Sequence, residues 1–524
     1  MSNHVDNTDN FVVPPAYRDM FKPMLEAFAE KDELNDVIKN RILKSCAMLD
    51  EGLKLYPNDF KKDKDISELL SEYGGCGEHD LAGTPSFKLA GRIVSMRHFG
   101  KAAFFHLQDA TDRMQVYASR DELGEHPYGL FKKFDIGDIV GVTGSLFITK
   151  TGELTVKASE ARLLTRSIRP LPEKYHGLKD VETRYRQRYV DLIVTPSSRH
   201  TFYRRSEIVR EFRQFMSEHG FLEVETPTMQ PIPGGATARP FETHHNALDM
   251  QLYLRVAPEL YLKRLLVGGF EKVFELGRNF RNEGISTQHN PEFTMVEFYW
   301  AYATFKEIMD FIERLVGRIA ERVCGNTVIE YQGQSIDLTP GHWRRMPFHA
   351  SLEGVGGVSP DIYTDYKKAC LFINEHGEKV ISGEKIGKLQ AKIFDLVVEP
   401  KLIQPHFIYD YPADISPLSR RSETNPDLTD RFELFVAGRE LANAFSELND
   451  PMDQRHRFEE QIAEREAGDD EAHFMDEDFL RALEYGMPPA GGAGMGIDRL
   501  VMLLTNASSI RDVILFPLLR PESV

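Results

Sequence analysis

Cysteine is scarce in this chain. Four of its 524 residues are cysteine (Cys46, Cys76, Cys324 and Cys370), scattered and never at CxxC spacing. That weakens a zinc or disulfide reading and fits a reducing cytosol. Long apolar runs are missing too. None approaches the ~20 residues that a membrane helix needs, so no membrane partner is expected. The opening MSNHVDNTDN is polar, with no basic stretch followed by an apolar one. No signal peptide is therefore expected, and the chain reads as cytoplasmic. The common ATP signatures are absent as well. There is no GxxxxGK[ST] and no GxGxxG after a strand, and GEKIGKL (383–389) lacks both the spacing and the hydroxyl residue. Positive charge is in deficit, with a net charge of -17. That argues against coating nucleic acid through bulk charge but leaves a local basic face open. No tandem repeat or low-complexity tract is seen.

A length of 524 residues exceeds one typical core, so two or more domains are expected. The hydrophobic share of 41% and charged share of 28% are those of an ordinary globular protein. Residues 1–85 read as a polar helical extension, with LNDVIKNRILKSCAMLDEGL as its best amphipathic piece. From Phe87 the pattern turns to short β-type runs with turn signals between them, up to about residue 168. Five or so strands in that length, net basic, point to a small closed barrel of the OB type. A basic, aromatic linker covers 169–198. Then FYRRSEIVREFRQFMSEHGF sets Phe202, Ile208, Val209, Phe212, Phe215 and Met216 at helical spacing, with Gly220 as a stop. Interleaved strands and helices fill 199–524, with an insertion expected near 325–425. The acidic run GDDEAHFMDED (468–478) reads as a solvated surface stretch.

FRNEGISTQHNPEFTMVEFYWAY (280–302) reads as strand, polar loop, strand. With a period of two, Phe293, Met295, Glu297 and Tyr299 share one face of the second strand. Thr294, Val296, Phe298 and Trp300 take the other, apolar face. A carboxylate and a phenol beside a flat ring suit a charged ligand that also carries a ring. Arg281 belongs to the partner strand, and Glu283 and His289 flank the turn. GRELANAFSELND repeats the logic, with Asn443, Phe445 and Glu447 on one face. Nearby Glu433 and Glu440 are paired carboxylates of the kind that hold Mg²⁺ against a nucleotide. In GGAGMGIDRL (491–500) alternate glycines permit close approach to the backbone, and Arg499 offers a fork for phosphate. Taken alone, that stretch equally suits close packing of a strand or a helix start.

Together these residues resemble the class II aminoacyl-tRNA synthetases, and within them the bacterial-type lysine branch. The likeness runs from about residue 86 to Pro521. FLEVETPTMQPIPGGATARPF (221–241) is similar to the family's first motif, the 280–302 hairpin to its second, and GGAGMGIDRLVMLLTNASSIRDVILFP to its third. APELYLKRLLVGGFEKVFELGRNFRNEG and GRELANAFSELNDP resemble the lysine branch in particular. Ala490 and Ala493 stand where many relatives carry Thr and Leu, leaving the glycine pattern intact. The resemblance implies an α+β fold, with an anticodon-reading OB barrel before an antiparallel sheet flanked by helices. It implies ATP and L-lysine as substrates, tRNA(Lys) as partner, Mg²⁺ as cofactor and a homodimer. It also implies roles. Arg281 would contact the α-phosphate and the amino-acid carboxylate, and Glu283, His289 and Asn290 would hold ATP. Phe293 would stack on adenine from one side, with Arg499 on the other reaching the γ-phosphate. Glu433 and Glu440 would hold Mg²⁺. Gly235, Glu259, Glu297, Tyr299, Asn443, Phe445 and Glu447 would form the amino-acid pocket. Phe104 and Gln115 would stack on and read anticodon bases.

The residues agree with that chemistry. Three glutamates, Glu259, Glu297 and Glu447, favour an amino acid with two ammonium groups. Phe104 and Phe105 alternate faces, so one of them must point out of the barrel. An aspartyl- or asparaginyl-type enzyme would carry a basic residue where this chain has Glu297 and Glu447. A relative that attaches lysine-like groups to a protein would lack the OB domain. A non-catalytic RNA-binding descendant would have lost Arg281, Arg499, Glu433 or Glu440, and all four are in place.

Overall fold

The computed structural model describes residues 15–522 apart from 32–33, 173–177, 179, 382 and 467–471. Residues 468–471 of the acidic run therefore lie outside the described residues. The chain divides into two units, Met1–Gly177 and Leu178–Val524.

In the first unit, α1 (Pro15–Ala29), α2 (Asp36–Asp50) and α3 (Ile66–Tyr73) precede a closed five-stranded barrel. Asn35 caps α2 by accepting from the Ile38 amide at 3.0 Å. A capping box of Asp65 and Glu68 starts α3. The barrel runs β1 (Phe87–Phe99), β2 (Ala102–Gln108), β3 (Arg113–Ser119), β4 (Ile139–Ile148) and β5 (Leu154–Thr165), closing in the order β1-β2-β3-β5-β4. Burial alternates along β2, so Phe105 fills the barrel and Phe104 stands on its outer face. The helical segment is not a detached extension. Met48, Leu49, Leu55, Ile66 and Leu69 belong to the barrel's own hydrophobic core.

In the second unit an eight-stranded sheet has the order Arg344–Pro347, His406–Pro412, Leu428–Val436, Arg439–Ser446, Ala490–Gly496, Glu292–Ala301, Lys272–Phe280 and Leu222–Glu223. Pairing is antiparallel except at the two edges, where the short terminal strands run parallel to their neighbours. One face packs on the helices Pro196–Glu218 and Phe305–Cys324. Ile208, Phe212, Phe215 and Met216 of the first helix meet Val296 and Phe298 of the sheet in one core. The apolar stripe of that helix is thus spent on the core. The stretch 325–425, expected to hold an insertion, contributes two sheet strands. Only the helical excursion between them, around Phe348, Ile373, Leu389 and Phe394, forms a separate small core. The second half of the expected linker is also built in. Arg188, fully buried, pairs with Asp191 at 2.7 Å and donates to the carbonyls of Arg511 and Leu515.

Candidate active site

The sheet face opposite the core carries Met295, Glu297 and Tyr299, and these line a cleft of about 370 Å³. Its floor explains the alternate glycines. Ala490–Gly496 is a strand, not a turn, lying between Glu292–Ala301 and Arg439–Ser446. Gly492 pairs with Tyr299 on one side and Phe445 on the other, and Gly494 with Glu297 and Asn443. The flanking strands supply walls, and the glycine strand supplies a floor without side chains. Asp498 locks the assembly. It accepts from the Thr294 amide at 2.7 Å and from Arg205 at 2.6 Å.

At one end of the cleft, Arg281 follows directly on the strand Lys272–Phe280, and its amide donates to the Pro291 carbonyl at 2.9 Å. Its guanidinium lies 5.1 Å from the Phe293 ring centroid, and its buried Nε has no hydrogen-bond partner. Asn290 is buried and donates to the Glu292 carbonyl at 2.6 Å, leaving its Oδ1 without a partner. Arg499 donates to the Glu440 carbonyl at 2.6 Å and to its carboxylate at 3.1 Å, with His289 Nε2 3.5 Å away. Burial first, and Arg499 second, hold the His289 pKa below its usual value. Glu283 sits in the exposed loop and also lines the cleft.

Glu433 accepts from Tyr411 at 2.9 Å and from Arg431 at 2.5 Å. The same Arg431 holds Asn443 Oδ1 at 3.1 Å. Two further carboxyls, Asp395 and Glu399, feel Glu433 and Glu440. Burial first, and then Glu399 for Asp395 and Glu440 for Glu399, push both up to about 7. Glu433 and Glu440 come from neighbouring strands and both line the cleft, and carboxylate oxygens are the donor chemistry Mg²⁺ takes. Among the described residues no group of three or more side chains could hold a metal ion.

At the other end, Tyr299 donates to Glu297 at 2.9 Å, and both are buried. Burial first, and neighbouring Glu259 next, raise the Glu297 carboxyl well above its usual range. Gly235, at φ +88°, brings the backbone against Glu259, where a Cβ would stand 2.8 Å from the Glu259 Cβ. The sequence reading missed the centre of this end. Lys263, with no exposed surface, donates to Glu259 Oε1 at 2.7 Å and forms an ion pair with Glu447 Oε2. Its ammonium also lies 5.3 Å from the Phe445 ring centroid. So two of the three glutamates counted as free for a substrate already share an internal cation. Glu447 stands at the same end, against Gly492. Every other site residue named above for this domain lines the cleft, and Glu447 packs behind that lining, on the face that carries Tyr299. The Lys263 contact lacks hydrogen-bond alignment, and both Glu447 oxygens are left without a hydrogen-bond partner. His473, also missed, is buried at the cleft wall, and burial lowers its pKa to about 4, leaving it neutral at pH 7.

In the barrel unit Phe104 is ringed by other aromatics, Tyr117 at 5.0 Å and the exposed Phe99 at 6.1 Å. Gln115 sits on β3 beside it. It donates to Glu153 at 2.8 Å and accepts from Thr155 at 2.9 Å, so its side chain is already oriented.

Comparison with known proteins agrees with this geometry. The family model for class II tRNA synthetases (D, K and N) matches residues 180–520, and that for the OB-fold nucleic acid binding domain matches 87–164. The lysine–tRNA ligase of Carboxydothermus hydrogenoformans is 55% identical over 94% of this chain and 100% of its own. That of Bacillus subtilis is 53% identical over 93% and 98%. That of Idiomarina loihiensis is 53% identical over 94% and 99%. Coverage this wide reaches well into the first 85 residues, where the sequence reading had found little likeness.

Proposed function

The chain belongs to the class II tRNA synthetases of the D, K and N group, and we propose that its cleft carries out lysine activation and charges tRNA(Lys) with the product. One observation carries the assignment of ends within the cleft. An arginine without a carboxylate partner, Arg281 over Phe293, faces one end, and buried Glu259, Glu297 and Tyr299 close the other. The two ends match a nucleotide phosphate and an amino acid with two ammonium groups.

In the first step an oxygen of the lysine carboxylate bonds to the α-phosphorus of ATP, and the bond to the bridging oxygen of pyrophosphate breaks. The carboxylate is ionised at pH 7, so this step needs no general base. Catalysis is positioning and charge stabilisation. Arg281 neutralises the α-phosphate oxygens, and Phe293 stacks on the adenine. Glu283, His289 and Asn290 hold the rest of the nucleotide, and Arg499 meets its far phosphates. Glu433 and Glu440 would hold Mg²⁺, which supplies positive charge to the phosphates when bound. In the second step a terminal ribose hydroxyl of tRNA bonds to the lysyl carbonyl carbon, and AMP leaves.

The barrel presents Phe104 and Gln115 to unstacked anticodon bases. A homodimer is also part of this reading. The sheet ends in the two-residue edge strand Leu222–Glu223, and both Leu222 and nearby Met229 are exposed. The cytoplasm is the proposed site of action. All four cysteines are free, and among the described residues no helix is long and apolar enough to cross a membrane.

ATP–pyrophosphate exchange, run with Mg²⁺ and each of the twenty amino acids separately, tests the assignment. Exchange with lysine alone is expected. Exchange with aspartate or asparagine would overturn the pocket reading, and none with any amino acid would overturn catalysis itself.

A further inference from the structure

We propose that Lys263 is a built-in counter-ion that sets the amino-acid pocket to two net negative charges, matching the two ammonium groups of lysine. The inference rests on the pocket reading above. Lys263 and Glu259 sit at i and i+4 on the helix Glu259–Val267, which turns both side chains inward instead of toward solvent. The ammonium has no exposed surface. It is held by Glu259 Oε1 at 2.7 Å, by Glu447 Oε2, and by the face of Phe445.

Counting charge explains why a cation belongs there. Glu259, Glu297 and Glu447 are three buried carboxyls. A bound lysine brings two ammonium groups, and its carboxylate faces Arg281. Three carboxylates against two ammoniums leave one negative charge buried without a partner, and such a group takes up a proton instead. Burial raises all three carboxyls, Glu447 to about 8. Once lysine is bound, its two ammoniums and Lys263 together match three carboxylates, so the occupied pocket can hold all three ionised. The other groups facing this cluster do not replace Lys263. Arg431 is committed to Glu433, and His473 is neutral at pH 7. Tyr299 is a hydrogen-bond donor to Glu297. Lys263 is thus a positioning residue for specificity and does not touch the reacting atoms.

The test compares the wild-type enzyme with K263M, K263R and E447Q by lysine- and ATP-dependent exchange between pH 6.5 and 8.5. In K263M a glutamate is expected to keep its proton at pH 7 even with lysine bound. Lysine KM should then rise about tenfold or more at pH 7, with ATP KM within about twofold. It should fall back as pH rises and the carboxyl ionises. K263R keeps the charge and should show no such pH dependence. An unchanged lysine KM in K263M overturns the inference, as does a rise that is flat with pH. So does a parallel rise in both KM values with a lowered Tm, since that marks a packing role alone. If K263M does not fold, K263R decides: a pH-independent lysine KM within about fivefold of wild type supports the counter-ion, and a larger change overturns it. A silent K263M beside an impaired E447Q sinks the counter-ion only. A silent E447Q sinks the pocket reading beneath it.

Discussion

Gly492 lies directly against Glu447: a Cβ built on Gly492 would overlap Glu447 Oε1 and stand 2.5 Å from Tyr299 Cε1. The glycine is therefore required by space, since its φ lies outside the left-handed region. Three residues from three strands, Tyr299, Gly492 and Phe445, form one row across the sheet. Glu447 packs against that row on the face of the Tyr299 ring.

Gly492→Ala should consequently damage lysine activation far more than folding. Overpacking of this kind costs roughly 1–3 kcal/mol. Placed between a ring and a buried carboxylate, it should lower kcat/KM for lysine by about 100-fold. Exchange kinetics alongside a thermal melt check this. Activity near wild type would mean that Glu447 moves aside freely and does not shape the pocket.

Glu447→Gln should raise the lysine KM strongly and leave ATP KM nearly unchanged. The amide keeps the volume but removes the charge that pairs with Lys263. Lys263 keeps Glu259 at 2.7 Å, so its charge stays paired and Tm should fall only modestly. Separate titrations of lysine and ATP in the exchange assay decide it, and an unchanged lysine KM removes Glu447 from the pocket.

Arg281→Ala should show the opposite balance. Its Nε has no partner within the protein, so little stability depends on it. Its expected work is on the α-phosphate, where one such contact is worth about 3 kcal/mol, or roughly 10²–10³ in rate. The melting temperature should hold while kcat for exchange collapses. A large fall in Tm with modest kinetic change would make Arg281 a structural residue.

Much of this site is legible in the sequence because strands have a period of two. Glu297 and Tyr299 face the cleft and Val296 and Phe298 the core, as alternation requires. What escaped had no such period to reveal it. A Glu and a Lys four apart on a helix is the commonest exposed pair, so Glu259 and Lys263 give no sign that both are buried. Tyr411, which holds Glu433, comes from a stretch whose pattern is weak, 325–425, and reaches its partner only through strand pairing. The barrel core draws on α2 and α3, whose amphipathic faces are visible but whose partner is not. The alternate glycines are visible in the sequence, yet only the register with both neighbouring strands shows that they leave a floor open.

The barrel gives a prediction that separates the two steps. Phe105 is 1% exposed and fills the interior, so its neighbour Phe104 must face outward, beside Tyr117 and Phe99. Stacking on such a ring is worth ~1–3 kcal/mol per base. Phe104→Ala should therefore lower kcat/KM for tRNA charging by roughly 5- to 150-fold. Lysine-dependent ATP–pyrophosphate exchange should stay at the wild-type rate, because the cleft lies wholly in the second unit. Parallel aminoacylation and exchange assays on one preparation read both numbers. Equal loss in the two reactions would make the ring structural. Full charging activity would move base recognition elsewhere on the barrel.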